Sequence, residues 1–389
     1  MTSPTTLDSF AMPRREYRDP RTGRTVWQMT DGDFECVAPY MDKPAWSNDD
    51  RYIIFMCNKS GSWQPYRLEV STGRARQMAQ VRNALYRSLV FAPALNEVFA
   101  EDGGTYLAIN IETLAVRRAV DYRQLYGDGP GQKGSAACLS GDGRRAVFAH
   151  KTAEGRPALV TVATDGSNVF RFHPCEVDGV APGHQLLCPT DDNIATFHGY
   201  PDRQNNAAET PVNRTAQWRM DLDTGRMRPL VLMPPGFRAT HCLWGPLGRR
   251  FYFHKKTVPQ WVPTAIGSVD REGGDTRIYF ESAEHRLGHC AQSPDERWIV
   301  SDSQDPRENI LMLISTERDE QHMVCWPNTS INQVTGSRRR PDLPEHTDTH
   351  THPGFSRTGR YVHYTSDCSG RSQVYVAPVE DVVLRGGSR

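Results

Sequence analysis

The chain has 389 residues, of which 38% are hydrophobic, and it contains 31 glycines, 27 prolines and eight tryptophans. This composition is typical of a turn-rich all-β protein and argues against a helical or a disordered one. Lysine plus arginine and aspartate plus glutamate each number 46, so no global positive field attracts nucleic acid or an anionic membrane, and we predict neither as a partner.

The N-terminal segment lacks an apolar core of signal-peptide length, and no later stretch approaches the roughly 18 apolar residues of a membrane span. Nine cysteines are scattered without a CxxC pair, and we interpret them as reduced, buried thiols. We therefore expect a soluble, cytoplasmic protein.

The first predicted elements lie in residues 15–31, which read as strand, turn and strand. From residue 44 onward the chain repeats one plan, in which an apolar start, a polar turn, a β-rich strand and a second polar turn lead into another strand. The clearest copies begin at Pro44 and His352. Turn residues mark seven copies about 50 residues apart, which begin near residues 44, 88, 135, 183, 239, 288 and 350.

This spacing corresponds to one four-stranded blade per copy, so the sequence predicts a seven-bladed β-propeller that spans residues 1–389 as a single domain. Residues 52–57 are apolar on both alternating faces, as a sheet covered on both sides requires. We expect residues 15–31 to supply a strand to the last blade, which would close the ring and remove an exposed edge. Residues 198–218 and 333–353 form longer insertions, and loops on a rigid scaffold often carry function.

Histidines concentrate in residues 345–352, where His346, Asp348, His350 and His352 alternate along the chain. In an extended strand these four side chains share one face, which offers the ligand types of a metal site. A solvated polar loop is the alternative.

Histidines also recur at the start of successive copies: His241 in the fifth, His289 in the sixth and His352 in the seventh. Equivalent positions of adjacent blades surround a common channel, so we expect these three to converge. His184 holds the corresponding place in the fourth copy. A structural hydrogen bond to a neighbouring blade is the alternative for each.

With blades and histidines placed, the chain resembles the oligogalacturonate lyase family, polysaccharide lyases with a seven-bladed propeller fold, over most of its length. The resemblance rests on residues 17–23 (YRDPRTG), 60–63 (SGSW), 66–68 (YRL), 188–191 (CPTD), 197–198 (FH), 288–289 (GH), 293–295 (SPD) and 350–355 (HTHPGF).

The resemblance implies a divalent metal, typically manganese, held by His289, His350 and His352, with calcium or zinc as alternatives. A further ligand in that family is a glutamine three residues before the HxH motif, where this chain has Thr347. The candidates for the fourth ligand are therefore Thr347, Asp348 and His346.

The resemblance also implies that His241 is the catalytic base and that Arg214 is a catalytic and substrate-binding residue. A planar guanidinium fork suits a carboxylate. The family sequence after Phe197 is Cys-His-Glu-Gly, whereas this chain continues His198-Gly199-Tyr200-Pro201. We expect His198 and His184 to contact substrate, and we expect the substrate preference to differ.

These residue types suit β-elimination of a uronate 1,4-linkage. A neutral histidine can take the C5 proton near pH 7, while a metal and an arginine stabilise the charge that develops on the carboxylate. The sequence thus predicts a metal-dependent polysaccharide lyase that converts short anionic oligogalacturonide-like oligosaccharides into unsaturated uronates. Two alternatives stay open: a lyase of this fold for another uronate-containing glycan, and a non-enzymatic TolB-like binding propeller.

Overall fold

A computed structural model of the protein describes residues 7–82, 86–126, 138–199, 214–257, 260–304, 309–330 and 349–384. Within these ranges the structure has a 3-10 turn at Tyr86–Ser88 and two short α-helices, α1 (Arg123–Tyr126) and α2 (Glu380–Val383). None of the described helices has the length and apolar character needed to cross a membrane. The regular structure is otherwise β, as predicted.

Thirty strands follow one another along the described residues. The first eleven are β1 (Ser9–Ala11), β2 (Arg15–Arg18), β3 (Thr25–Gln28), β4 (Cys36–Val37), β5 (Tyr52–Cys57), β6 (Gln64–Glu69), β7 (Arg74–Gln77), β8 (Val90–Ala92), β9 (Glu97–Glu101), β10 (Thr105–Asn110) and β11 (Val116–Asp121). The next eight are β12 (Cys138–Leu139), β13 (Arg145–Lys151), β14 (Pro157–Ala163), β15 (Phe170–Pro174), β16 (Pro182–Cys188), β17 (Asp191–Gly199), β18 (Thr215–Asp221) and β19 (Met227–Leu232). The last eleven are β20 (Phe237–Trp244), β21 (Arg250–Thr257), β22 (Trp261–Asp270), β23 (Arg277–Ser282), β24 (Leu287–Gln292), β25 (Trp298–Ser303), β26 (Leu311–Ser315), β27 (Gln321–Cys325), β28 (Gly354–Phe355), β29 (Tyr361–Ser366) and β30 (Gln373–Pro378).

The strands form seven sheets, one for each copy of the repeat. Five sheets contain four consecutive strands each: β8–β11, β12–β15, β16–β19, β20–β23 and β24–β27. The first sheet has the order β1-β7-β6-β5-β4, and the last has the order β2-β3-β30-β29-β28. These sheets are the blades of a seven-bladed β-propeller, so the predicted fold class is confirmed.

A serine–aspartate turn joins the first two strands of several blades. In the first blade, Ser47 Oγ donates to Asp49 Oδ1 (2.7 Å) and accepts from the backbone N–H of Tyr52 (2.8 Å). Short polar side chains of this kind satisfy backbone groups at a sharp chain reversal. The same serine-to-aspartate bond occurs in Ser140–Asp142 and Ser293–Asp295. This local chemistry is why the turns reveal the repeat.

The N-terminal segment completes the last blade, as predicted, but with two strands rather than one. Trp27 of β3 pairs with Val376 of β30, and β2 adds to the outer side of β3. In the same compact unit, buried Asp50 of the first blade accepts a hydrogen bond from Ser356 Oγ (2.7 Å) of the last. Strand β1 joins the outer edge of the first blade, which the sequence did not predict.

The described residues form two compact units, one made of Met1–Gly103, Leu107–Arg117 and Leu287–Arg389, the other of Gly104–Tyr106 and Arg118–Arg286. All six residues of β5 are buried, as their apolar pattern predicted. The sequence placed the start of the first blade near residue 44, whereas its first strand, β4, begins at Cys36. Cys36 pairs with Cys57, and Trp46 forms a separate bridge with Ile53. A single domain over residues 1–389 stays a prediction.

Candidate metal centre

Histidines at the blade starts share an unusual backbone. The strand ladders shift register at His184, at His241 and at Gly288–His289. The φ angles of His184, His241 and His352 are +46°, +49° and +39°, in the left-handed region that residues other than glycine rarely adopt. Bulges re-aim side chains, and such strained positions concentrate at functional sites. His184 and His241 have both features, His289 has the register shift and His352 has the positive φ.

Three of the predicted residues lie together in the first unit. His289, His350 and His352 each offer a ring nitrogen, and these atoms all lie within 4.8 Å of one another. The ring centroids of His289 and His352 are 4.4 Å apart, and the rings of His350 and His352 stack at 5.0 Å. His289 and His352 are buried, whereas His350 is half-buried. We call these three residues the histidine cluster.

Asp302 of β25 orients one member of the cluster. Its Oδ2 accepts a hydrogen bond from Nδ1 of His289 (2.9 Å), and its Oδ1 accepts from the backbone N–H of the same residue. Asp302 is 1% exposed, so water does not compete for these bonds. With Nδ1 protonated, the lone pair of His289 lies on Nε2, which is the arrangement that carboxylate-supported metal ligands adopt.

His350 is held in the form that binds a metal. Burial, reinforced by His289 and Arg87, lowers the pKa of His350 to about 3, so the imidazole is neutral at physiological pH. Its Nδ1 is buried and has no hydrogen-bond partner among the described residues. A buried ring nitrogen without a hydrogen-bond partner is costly unless a ligand occupies it. The cluster therefore fits a divalent metal ion that takes imidazole ligands.

Gln304 lies beside the cluster as well. Its side-chain nitrogen is 3.3 Å from Nε2 of His289. A side-chain carbon on Gly288 would lie 2.4 Å from Cγ of Gln304, so glycine at this position makes room for the glutamine. The sequence-predicted candidates for a fourth ligand, Thr347, Asp348 and His346, lie outside the described residues.

The other predicted site residues belong to the second unit. His241 is half-buried, with its ring 6.1 Å from that of His254. The rings of His184 and His198 are 5.6 Å apart; burial and His184 lower the pKa of His198 to about 4. Arg214 donates from Nε to the carbonyl oxygen of Met233 (2.9 Å). Convergence of His241 with the histidine cluster stays a prediction.

Sequence reasoning missed the residues that surround the cluster. Asp302 had a recognisable signal, because it is an acid within β25, a strand whose six residues are all buried. Tyr40 and Tyr86 contact His352, with ring centroids 4.6 Å and 5.7 Å away, yet no local pattern marks them.

Two relatives align with nearly the whole chain. No family model matches the chain. It is 22% identical to an oligogalacturonide lyase of Pectobacterium atrosepticum and 23% identical to an oligogalacturonate lyase of Dickeya dadantii; both alignments cover 94% of this chain and 96% of the relative. The resemblance to oligogalacturonate lyases is confirmed.

Solved structures of oligogalacturonate lyases have the same fold. A structure described as an oligogalacturonate lyase in complex with manganese superposes with a TM-score of 0.78 at 19% identity, over 96% of this chain and 98% of the other. The oligogalacturonate lyase of Vibrio parahaemolyticus gives 0.76 at 17% identity, over 96% and 99%. At these identities the structures support the fold alone.

Proposed function

We propose that this protein is a polysaccharide lyase that uses a divalent metal, manganese first, to cleave short oligogalacturonide-like uronates by β-elimination. The observation that carries the proposal is the histidine cluster with its Asp302 support. It occurs in a chain that is similar to oligogalacturonate lyases along nearly its whole length.

The proposed metal ligands are His289, His350 and His352. A divalent ion bound there would act as a Lewis acid that stabilises negative charge on a uronate carboxylate. Asp302 keeps the proton of His289 on Nδ1. Burial keeps His350 neutral. Both effects preserve nitrogen lone pairs for a cation.

β-Elimination takes the proton from C5 of the uronate. The electron pair of the C5–H bond forms the C4=C5 double bond. The oxygen on C4 leaves with its bonding pair and takes a proton from water to become a hydroxyl group. We assign proton removal to His241 and carboxylate binding to Arg214, with His184 and His198 as substrate contacts. No water attacks the sugar, so the paired carboxylates of a glycoside hydrolase are not required.

The decisive assay is direct. The purified protein is incubated with digalacturonate and manganese, and the ultraviolet absorbance of the unsaturated uronate is followed. We expect the absorbance to rise. A rise only with another uronate would favour the alternative lyase, and binding of uronides without product would favour a binding propeller. No signal with any uronide in a broad panel would refute the proposal.

Two variants test the role of the cluster. The double variant His350→Ala/His352→Ala should lose both the stoichiometric metal and product formation. His322→Ala is the matched control, because His322 lies on the outer strand β27 of the blade that carries His289 and bonds to Glu320 (2.8 Å). Elemental analysis of both purified proteins measures the metal. Equal metal content in the two would contradict the ligand assignment.

A further inference from the structure

An arginine lies beside the histidine cluster without a role in the proposed function. The ring of Tyr86 stacks on His352 at 5.7 Å, and the ring of Tyr40 meets His352 edge-on at 4.6 Å. The guanidinium carbon of Arg87 lies over the same two tyrosine rings, 5.2 Å from the centroid of Tyr40 and 5.6 Å from that of Tyr86. Arg87 and His352 thus share two aromatic neighbours.

The tyrosines hold the guanidinium in a defined orientation. Nε of Arg87 donates to the hydroxyl of Tyr86 (3.0 Å), and the flat guanidinium gains cation–π attraction from both rings. A side chain held in this way loses less conformational entropy when it binds a ligand.

The positive charge of Arg87 is not neutralised by an ion pair. Arg87 is exposed, and within the described part of the chain it forms no salt bridge and no hydrogen bond other than that to Tyr86. Asp42 acts on it electrostatically, but Asp42 is itself paired with Lys43 at 3.0 Å. The terminal nitrogens of Arg87 are therefore available to a ligand.

Two other stacked arginines, Arg51 and Arg117, differ in this respect. Arg51 lies over Tyr52 and pairs with Glu69 at 2.9 Å. Arg117 lies over Phe99 and pairs with Glu97 at 2.5 Å. Arg51 and Arg117 each stack on a ring and also form an ion pair within the protein. Arg87 stacks on two rings but has no such ion pair among the described residues, and it lies next to the candidate metal ligands.

We propose that Arg87 binds a carboxylate group of the substrate beside the histidine cluster and makes the site select free uronates over esterified or neutral sugars. This inference rests on the proposed function and adds a specificity-determining residue to it. A guanidinium fork can donate two parallel hydrogen bonds to a carboxylate but not to a methyl ester, which carries no charge.

The test measures binding rather than turnover. Isothermal titration calorimetry follows digalacturonate and its dimethyl ester binding to proteins with Arg, Ala or Lys at position 87, with and without manganese. Each protein carries His241→Ala, which removes the assigned base so that binding is measured without turnover. The matched control is Arg14→Ala, since Arg14 is also exposed and stacked, over Trp27 at 4.2 Å, but precedes β2 at the opposite edge of the last blade from β28. Chelator competition reports manganese affinity, and thermal unfolding reports the fold.

Arg87→Ala should weaken digalacturonate binding roughly 10- to 100-fold, as expected for the loss of a charge-assisted hydrogen bond. Affinity for the ester and for manganese should stay unchanged, Arg87→Lys should recover part of the loss, and Arg14→Ala should match the wild type. If Arg87→Ala unfolds, Arg87→Lys and Arg87→Gln carry the test.

Two results would overturn the inference while leaving the proposed function intact. One is a wild-type affinity of Arg87→Ala for digalacturonate. The other is an equal loss for acid and ester, which would indicate packing. A wild-type protein that neither binds nor cleaves any uronide would instead refute the proposed function, and this inference with it.

Discussion

Replacing Asp302 by asparagine isolates the contribution of one buried carboxylate to the metal centre. Asp302 accepts two hydrogen bonds from His289, one from the ring Nδ1–H and one from the backbone N–H. An asparagine of the same shape has only one oxygen, so its amide group must face one of the two donors. When the amide N–H group faces Nδ1–H of His289, two donors oppose each other. The imidazole proton then shifts to Nε2, the atom that would bind the metal, so that Nδ1 can accept.

The expected cost follows from this change. Loss of a carboxylate behind a histidine ligand typically weakens metal binding 10- to 100-fold, about 1.4 to 2.8 kcal/mol. We expect this loss in Asp302→Asn with the fold retained, because the substitution preserves volume in a side chain that is 1% exposed.

Chelator competition with manganese measures the affinity, and circular dichroism checks the fold. The control is Asp19→Asn, because Asp19 is also buried but binds the backbone N–H groups of Thr22 (2.9 Å) and Trp326 (2.9 Å). Asp19→Asn should lower stability and leave manganese affinity unchanged. Unaltered affinity in a folded Asp302→Asn protein would refute the orienting role of the carboxylate.

Three further predictions concern stability. Burial lowers the pKa of His363 to about 4, and Trp46 donates a hydrogen bond to its Nδ1 (2.9 Å). Because the unfolded chain binds this proton at higher pH, the free energy of unfolding should fall between pH 6.5 and 4, by about 2 kcal/mol at pH 5. Urea denaturation of His363→Gln should show a smaller loss over the same pH range. Deleting residues 1–31 removes β1 to β3 and exposes the edge of β30. The loss of buried Val26 and Met29 alone should lower the free energy of unfolding by about 3 to 6 kcal/mol. An unchanged urea midpoint would contradict the role of these strands in completing the last blade. Asp50→Ala removes the hydrogen-bond acceptor of Ser356 and should lower the free energy of unfolding by about 1 to 3 kcal/mol. Asp50→Asn should cost less, since asparagine tolerates the φ of +58° at this position. Thermal unfolding of the two variants measures the difference.

The repeat was visible in the sequence because its determinants are local. Ser47 and Asp49 bond to each other and to the backbone of one turn, and β5 is buried on both alternating faces. Such features involve residues within a few positions of one another, so they need no knowledge of the fold. Seven-fold recurrence then located histidines at equivalent blade positions.

The pairing partners of the N-terminal strands could not be predicted from the local sequence. Residues 15–31 read as strand, turn and strand, but whether one or both strands join the last blade depends on the edge that β30 leaves open. Likewise, β1 is a three-residue strand whose place is set by pairing with Arg74–Arg76, far along the chain. Pairing partners of short edge strands are a property of the assembled sheet.

The metal centre also combines residues that the sequence marks with residues that only the fold brings together. The two-residue spacing of His350 and His352 and the repeat position of His289 marked these residues as candidates, and the family resemblance implied that all three bind one metal. Only the folded chain brings Asp302 behind His289 and sets Tyr40, Tyr86 and Arg87 around His352. The physical reason is that tautomer, charge state and ligand access depend on which groups desolvate and hydrogen-bond each imidazole, and those groups come from distant parts of the chain.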